Sequence, residues 1–197
     1  MPVLSGWYAR PGVRPGRFVL IQEVTSIVSQ ESTTLPVEEL DQKAKKSLLR
    51  TLPYGLYACS CAAGDDVNVF AASWVSQCSF EPPLLMIAVR RDSYSHELIR
   101  RGGVFALNLI RKSDQQVVVR FFKTVRRDGN KLGDVPFHVG KTGSPVLDIA
   151  LGVLECEVVH LHEAGDHSVV IGKIVSAERF CEETPLICSD TTFHYSG

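Results

Sequence analysis

From Leu56 onward the apolar residues of this chain recur with a period of two, in short runs cut by turn residues. That is the period of strands. The spacing predicts strands over 56–62, 67–75, 84–89 and 104–110, and a late hairpin of 154–161 and 168–175 across Glu163-Ala164-Gly165-Asp166. Helical spacing is confined to three places. Pro36 opens a run in which Val37, Leu40, Ala44 and Leu48 share one face and which ends before Pro53-Tyr54-Gly55. A short helix is expected over 93–101, stopped by Gly102-Gly103, and another over 114–122. A doubly wound parallel sheet needs a crossover, usually a helix, between its strands, and three helices are too few. The expected fold is mainly β, an antiparallel barrel with short helices at its rim. Residues 1–40 read as an N-terminal arm and 41–197 as one domain. The stretch 123–143, rich in Gly, Lys and Arg, is expected to be a mobile lid.

Composition narrows the function classes. The 197 residues carry a formal net charge of -1, so no global field draws in nucleic acid or an acidic membrane. Arg126, Arg127, Lys131 and Lys141 lack interleaved aromatics, which speaks against nucleic-acid binding. No apolar run reaches the roughly 18 residues of a membrane span, and the first 20 residues do not read as a secretory signal. A cytoplasmic location is expected. The six cysteines contain no C-x-x-C pair and read as free thiols packed as small apolar residues. His160 and His162 face one side of a strand, but without a third ligand they read as surface histidines.

Two neighbouring segments hold most of the candidate chemistry. Ala72-Ser73-Trp74-Val75-Ser76-Gln77-Cys78-Ser79 precedes Glu81-Pro82-Pro83, a pair of prolines that ends strand pairing. A turn here would aim backbone groups at the edge of a planar heterocycle, with Trp74 either beside the ring or in the core. Next, Arg90-Arg91-Asp92-Ser93-Tyr94-Ser95-His96-Glu97 empties a strand into a helix, with Asp92 or Ser93 as N-cap. A helix start beside arginines and hydroxyls is either a capped surface helix or a phosphate seat. Gly165-Asp166-His167 reads as a hairpin turn with a histidine at its exit; that histidine is functional only if a ligand lies nearby. There is no G-x-G-x-x-G, no G-x-x-x-x-G-K-[ST] and no G-x-S-x-G, which removes the Rossmann dinucleotide, P-loop and hydrolase-elbow readings.

Taken in order, these pieces resemble the flavin reductase-like family, whose members bind FMN in a split β-barrel. The matching residues are Pro53-Tyr54-Gly55-Leu56-Tyr57, Ala72 to Gln77, Ser79-Phe80-Glu81-Pro82-Pro83, Val89 to Ser93, His96-Glu97-Leu98-Ile99, Phe105-Ala106-Leu107-Asn108-Leu109, Gly165-Asp166-His167 and Gly172-Lys173-Ile174-Val175. The chain is especially similar to the flavin reductase module that ends the cyanobacterial diflavin flavoproteins. That module is expected to stand alone here, since no diiron or flavodoxin domain precedes it.

The resemblance implies an antiparallel Greek-key split barrel and a homodimer with one flavin per subunit. The flavin would be FMN, with FAD left open, and NAD(P)H the co-substrate. By position, Ser73, Trp74, Val75 and Ser76 would line the ring and ribityl chain. Arg90, Asp92, Ser93, Tyr94 and Ser95 would hold the phosphate end. Phe122 would lie beside the cofactor and His167 on the nicotinamide side. The activity implied is an NAD(P)H:flavin oxidoreductase passing hydride to flavin N5, with a monooxygenase or other redox protein as partner. A non-enzymatic FMN electron carrier is the alternative.

Overall fold

The computed structural model describes residues 40–192. The expected opening of the first helix at Pro36, and the arm before it, lie outside these residues. The helix within them is Gln42–Thr51, and it buries none of its side chains.

Among the described residues, seven strands form one antiparallel sheet. They are β1 (Tyr57–Ala63), β2 (Asp66–Ala72), β3 (Val75–Ser79), β4 (Leu84–Arg90), β5 (Val104–Ile110), β10 (Ala150–Ala164) and β11 (His167–Arg179), in the order β2-β1-β5-β10-β11-β4-β3. The short strands β6 (Arg127–Asp128), β7 (Lys131–Leu132), β8 (Val135–Val139) and β9 (Pro145–Leu147) form a second, four-stranded meander. The hairpins β1–β2, β3–β4 and β10–β11 fold locally. The connection from β4 to β5 carries the helix Tyr94–Gly102, which packs on β1 and β2, while the β10–β11 hairpin fills the place between β4 and β5 in the sheet, in Greek-key manner.

The sheet is curled into a barrel, and the chain itself forces this. The two outer strands, β2 and β3, are joined by Ser73 and Trp74 alone. That link spans at most about 11 Å, whereas a flat seven-stranded sheet would separate its edges by about 29 Å. The edges therefore meet at this corner, where Ala88 N–H bonds to Trp74 O at 3.0 Å. Beyond it, β2 and β4 share no ladder among the described residues. The barrel is split there, as expected.

Strand β1 shows why the pattern is so apolar. Cys59 and Cys61 enter one core cluster with Ile87, Leu98, Phe105 and Val170, while Ala58 enters another with Val69, Ile110, Phe121, Phe137 and Leu147. Both faces are buried, and the small residues permit it. The buried Asn108 joins the two sheets. Its amide donates to Ala58 O (3.2 Å) and Ser60 Oγ (3.1 Å), and its carbonyl accepts from Leu147 N–H (2.8 Å).

Four sequence expectations are corrected, wholly or in part. The run expected as one strand over 67–75 breaks after Ala72, because the chain there changes sheet edges; residues 75–79 become the edge strand β3. The helix expected over 114–122 is a chain of short pieces, with only Gln115–Val118 α-helical between two 3-10 turns. The expected lid is largely the β6–β9 meander, anchored by buried Leu132, Val135 and Phe137. The six cysteines are free thiols, but Cys78 is exposed rather than packed. Burial pushes the Cys61 and Cys156 thiols up to about 12, so neither is a thiolate at neutral pH.

Candidate flavin site

The split between β2 and β4 opens into a cleft of about 380 Å³, within the usual range for small-molecule sites. One wall is β2 from Asn68 to Ala72 with the link Ser73-Trp74. The opposite wall is the end of β4, from Ala88 to Arg90, with Asp92, Ser93, Tyr94 and Ser95 at the helix start. Phe121, Phe122, Lys123 and Thr124 close a third side, and His167 stands at the mouth of β11.

The helix start is built by local capping. Ser93 is the N-cap, in extended backbone. Its hydroxyl accepts from His96 N–H at 3.2 Å and donates to Arg90 O at 2.7 Å. This cap leaves the N–H groups of Tyr94 and Ser95, in the first turn, without intrahelical acceptors. Ser95 is 2% exposed, and its hydroxyl accepts from the Asn68 amide at 2.9 Å, tying the helix start to β2. The far end stops at Gly103, whose φ of 66° is the left-handed C-cap. At Gly102 a side chain would strike Ala62 O, 1.8 Å from its Cβ position.

Arg90 and Asp92 form a two-point pair, Nε to Oδ1 at 2.9 Å and Nη2 to Oδ2 at 2.5 Å. Those bonds hold the Asp92 carboxyl below its usual range. Arg91 turns the other way, bonding Glu163 and the Gly165 carbonyl, while its N–H bonds Asp166 O. These bonds fasten the β10–β11 turn to the end of β4 and bring His167 to the cleft. The turn holds Gly165 at φ 63°, as a two-residue primed hairpin requires. His167 Nδ1 lies 2.8 Å from Asp166 Oδ1, a contact in which the ring N–H donates to the carboxylate. The same contact lowers the Asp166 carboxyl. The His167 ring lies 4.8 Å from that of Trp74, tilted by 47°.

The structure thus gathers Ser73, Trp74, Arg90, Asp92, Ser93, Tyr94, Ser95, Phe122 and His167 around one cleft. Trp74 is a half-buried cleft wall rather than part of the core. Val75 and Ser76 are not among the lining residues; they lie in β3 opposite Ile87 and Met86. The Val75 N–H is already donated to Ser73 O at 3.1 Å. Sequence reasoning missed Asn68, Phe121, Lys123 and Thr124. Asn68 had a signal: it is the one polar side chain between Val67 and Ala72 in β2, on the face of Phe70 and Ala72. Lys123 had none, since its neighbours read as loop. It has no ion pair among the described residues, so it leaves a positive charge beside the cleft.

The arrangement can hold a flat aromatic group against Trp74 and an anionic tail near the helix start. Comparison with known proteins points the same way. The model for the flavin reductase like domain matches residues 49–197. The chain is 32% identical over 141 residues to diflavin flavoprotein A 1 of Synechocystis, covering 71% of this chain and 24% of that one. It therefore spans about a quarter of that relative's length. It is 31% identical over 118 residues to the reductase subunit HsaB of a flavin-dependent monooxygenase from Rhodococcus jostii, covering 60% of this chain and 59% of that one. The NADH:FAD oxidoreductase SgcE6 of Streptomyces globisporus shares the fold, with a TM-score of 0.67 at 23% identity, covering 83% of this chain and 94% of that one. By its sequence over residues 49–197 and by its split barrel, this chain belongs to the flavin reductase-like domain family.

Proposed function

We propose that this chain is an NAD(P)H:flavin oxidoreductase that uses FMN. The observation that carries the reading is the cleft at the barrel split. It pairs aromatic side chains on two sides, Trp74 and Phe122, with a capped helix start beside Arg90, and adds the cation Lys123 on the third side. When bound, FMN supplies a two-electron acceptor at N5 for the hydride leaving nicotinamide C4, with NAD(P)+ released.

The chain's own residues do the rest. The N–H groups of Tyr94 and Ser95 and the charge of Lys123 hold the phosphate end. Arg90 presents its guanidinium from a position fixed by Asp92. Trp74 and His167 form the end of the cleft where the nicotinamide stacks, so that two rings meet at near-attack distance. His167, whose Nδ1–H donates to Asp166, orients that ring.

The homodimer and the monooxygenase partner belong to this proposal. They are supported by the large exposed apolar side chains Phe80, Val159 and Phe180 and by the HsaB relative's description as a monooxygenase reductase subunit. The test is consumption of NADH or NADPH by the purified protein with FMN or FAD, followed by absorbance. Turnover with FMN is expected. A protein that holds FMN but oxidises neither nucleotide would be an electron carrier, and the reductase reading would be wrong.

A further inference from the structure

Two serines stand at the helix start beside the cleft, and their hydroxyls are used differently. The Ser93 hydroxyl is satisfied within the protein, accepting from His96 N–H and donating to Arg90 O. The Ser95 hydroxyl accepts from Asn68 Nδ2 at 2.9 Å, and its own proton has no acceptor among the described residues. Ser95 is 2% exposed and lines the cleft. Bulk water is largely shut out, so a group bound in the cleft is the natural acceptor.

Asn68 is out of place on its strand. It shares a face of β2 with Phe70 and Ala72, which pack in the core, and it lies opposite the buried Cys61 of β1. It is itself only 6% exposed. A buried amide costs free energy unless it is hydrogen-bonded, and an apolar side chain would pack there without that cost. Holding the helix on the sheet does not call for it. Leu98 and Ile99 already anchor the helix in the core, and the Cys61 thiol reaches Ser95 O at 3.8 Å. What Asn68 supplies is an N–H against Ser95 Oγ. A serine hydroxyl has one proton and two lone pairs and rotates to suit its partners. An N–H held against one lone pair keeps the proton away from that side. Resting on the flavin-binding part of the reading above, we propose that Asn68 is the positioning residue of the phosphate seat. It presets Ser95 as a donor to the anion, and it makes the cleft select FMN over riboflavin, which has the same ring and ribityl chain without the phosphate. Of the two serines, Ser95 is then the ligand group and Ser93 the cap.

The experiment titrates wild type, Asn68→Ala, Asn68→Asp, Ser95→Ala and the double variant Asn68→Ala/Ser95→Ala with FMN and with riboflavin, followed by flavin fluorescence. Asn68→Ala weakens FMN roughly tenfold, the effect of losing one charge-assisted contact, and leaves riboflavin unchanged. Ser95→Ala does the same. The double variant is no weaker than Ser95→Ala, because Asn68 acts only through that hydroxyl. Asn68→Asp keeps the shape of the side chain, so it reports even where Asn68→Ala fails to fold. Its carboxylate takes the Ser95 proton for itself and repels the phosphate, so FMN weakens more than in Asn68→Ala. Equal losses for FMN and riboflavin would make Asn68 a merely structural residue and overturn the proposal. So would additive losses in the double variant, or an Asn68→Asp protein that binds FMN like wild type. A wild type that binds FMN but oxidises neither nucleotide leaves this inference standing and overturns only the reductase reading. A wild type that binds no flavin overturns both.

Discussion

Two walls of the cleft, the β4 side and the third side, are built in different ways. On the β4 side the polar groups are held before any ligand arrives: Arg90 by Asp92, Ser93 by the His96 N–H and the Arg90 carbonyl, Ser95 by Asn68, and Arg91 by the β10–β11 turn. On the third side, Lys123 and Thr124 follow the 3-10 turn Val119–Phe122 and are exposed, with Phe121 in the core beneath. A pinned side chain loses little entropy when it binds, whereas a loose one must be ordered at a cost of about 0.5–1.5 kcal/mol. The pinned wall should therefore fix where a ligand sits, and the loose wall should add area and charge.

The widest separation between the walls is expected from their cations. Arg90→Ala removes a positioned guanidinium and strands the Asp92 carboxylate beside the anion it helped to hold. Flavin affinity should fall on the order of 30-fold, the cost of a charge-assisted contact plus a new repulsion. Adding Asp92→Asn should recover part of that loss. Lys123→Ala should cost only about fivefold, because an exposed, flexible ammonium is screened. Both are read by quenching of flavin fluorescence on titration. If Lys123→Ala costs more than Arg90→Ala, the loose wall carries the binding and the comparison is inverted.

Salt separates the walls further. The part of the affinity owed to Lys123 should fade between about 0.05 and 0.5 M salt, as the Debye length shrinks. The geometric contribution of the pinned wall should persist. In the same titration the Lys123→Ala protein should therefore show a flatter salt dependence than wild type. Identical slopes would mean that Lys123 does not face the anion.

Ser93 tests how the pinning works. Its hydroxyl caps the helix and touches Arg90 O, so Ser93→Ala should cost about 1 kcal/mol and lower the Tm by roughly 2–4 °C for a domain of this size. Thr should rescue the cap. A drop in flavin affinity without a drop in Tm would make Ser93 a direct ligand group rather than a cap.

The two walls were not equally legible in the sequence. The pinned wall rests on local rules: a serine three residues before the N–H it caps, a glycine at the left-handed stop, a two-residue turn between alternating strands. Each can be read within a few residues of chain, and so Ser93 stood as one of two N-cap candidates, and the Gly102-Gly103 stop and the turn through Gly165-Asp166 were found. The loose wall depends on tertiary placement. Lys123 borders the cleft only because the short pieces from 112 to 122 pack Phe121 against Val69 and Ala71 in the outer core, and nothing local marks that. The break at Ser73-Trp74 was hidden for a related reason. The apolar alternation runs on through it, and only barrel closure shows that two residues carry the chain from one sheet edge to the other.

The smallest effect concerns the back of the pinned wall, where His96 is 6% exposed with Nε2 on Ser168 Oγ. Burial holds its imidazole below the usual 6.5; Glu163 opposes that shift, and Arg100 and Arg91 add to it. Below about pH 6.5 the unfolded chain takes up a proton that the folded His96 resists. Its contribution to stability is therefore complete above that pH and is lost as pH falls toward the lowered value. Wild type should lose more Tm between pH 7.5 and 5.5 than His96→Gln, whose amide can still meet Ser168, by about 2 °C. The carboxylates titrate alike in both proteins, so the difference isolates this one ring. Parallel losses would show that the wall is pinned by its hydrogen bonds alone and that the neutral histidine beneath it contributes nothing to their pH dependence.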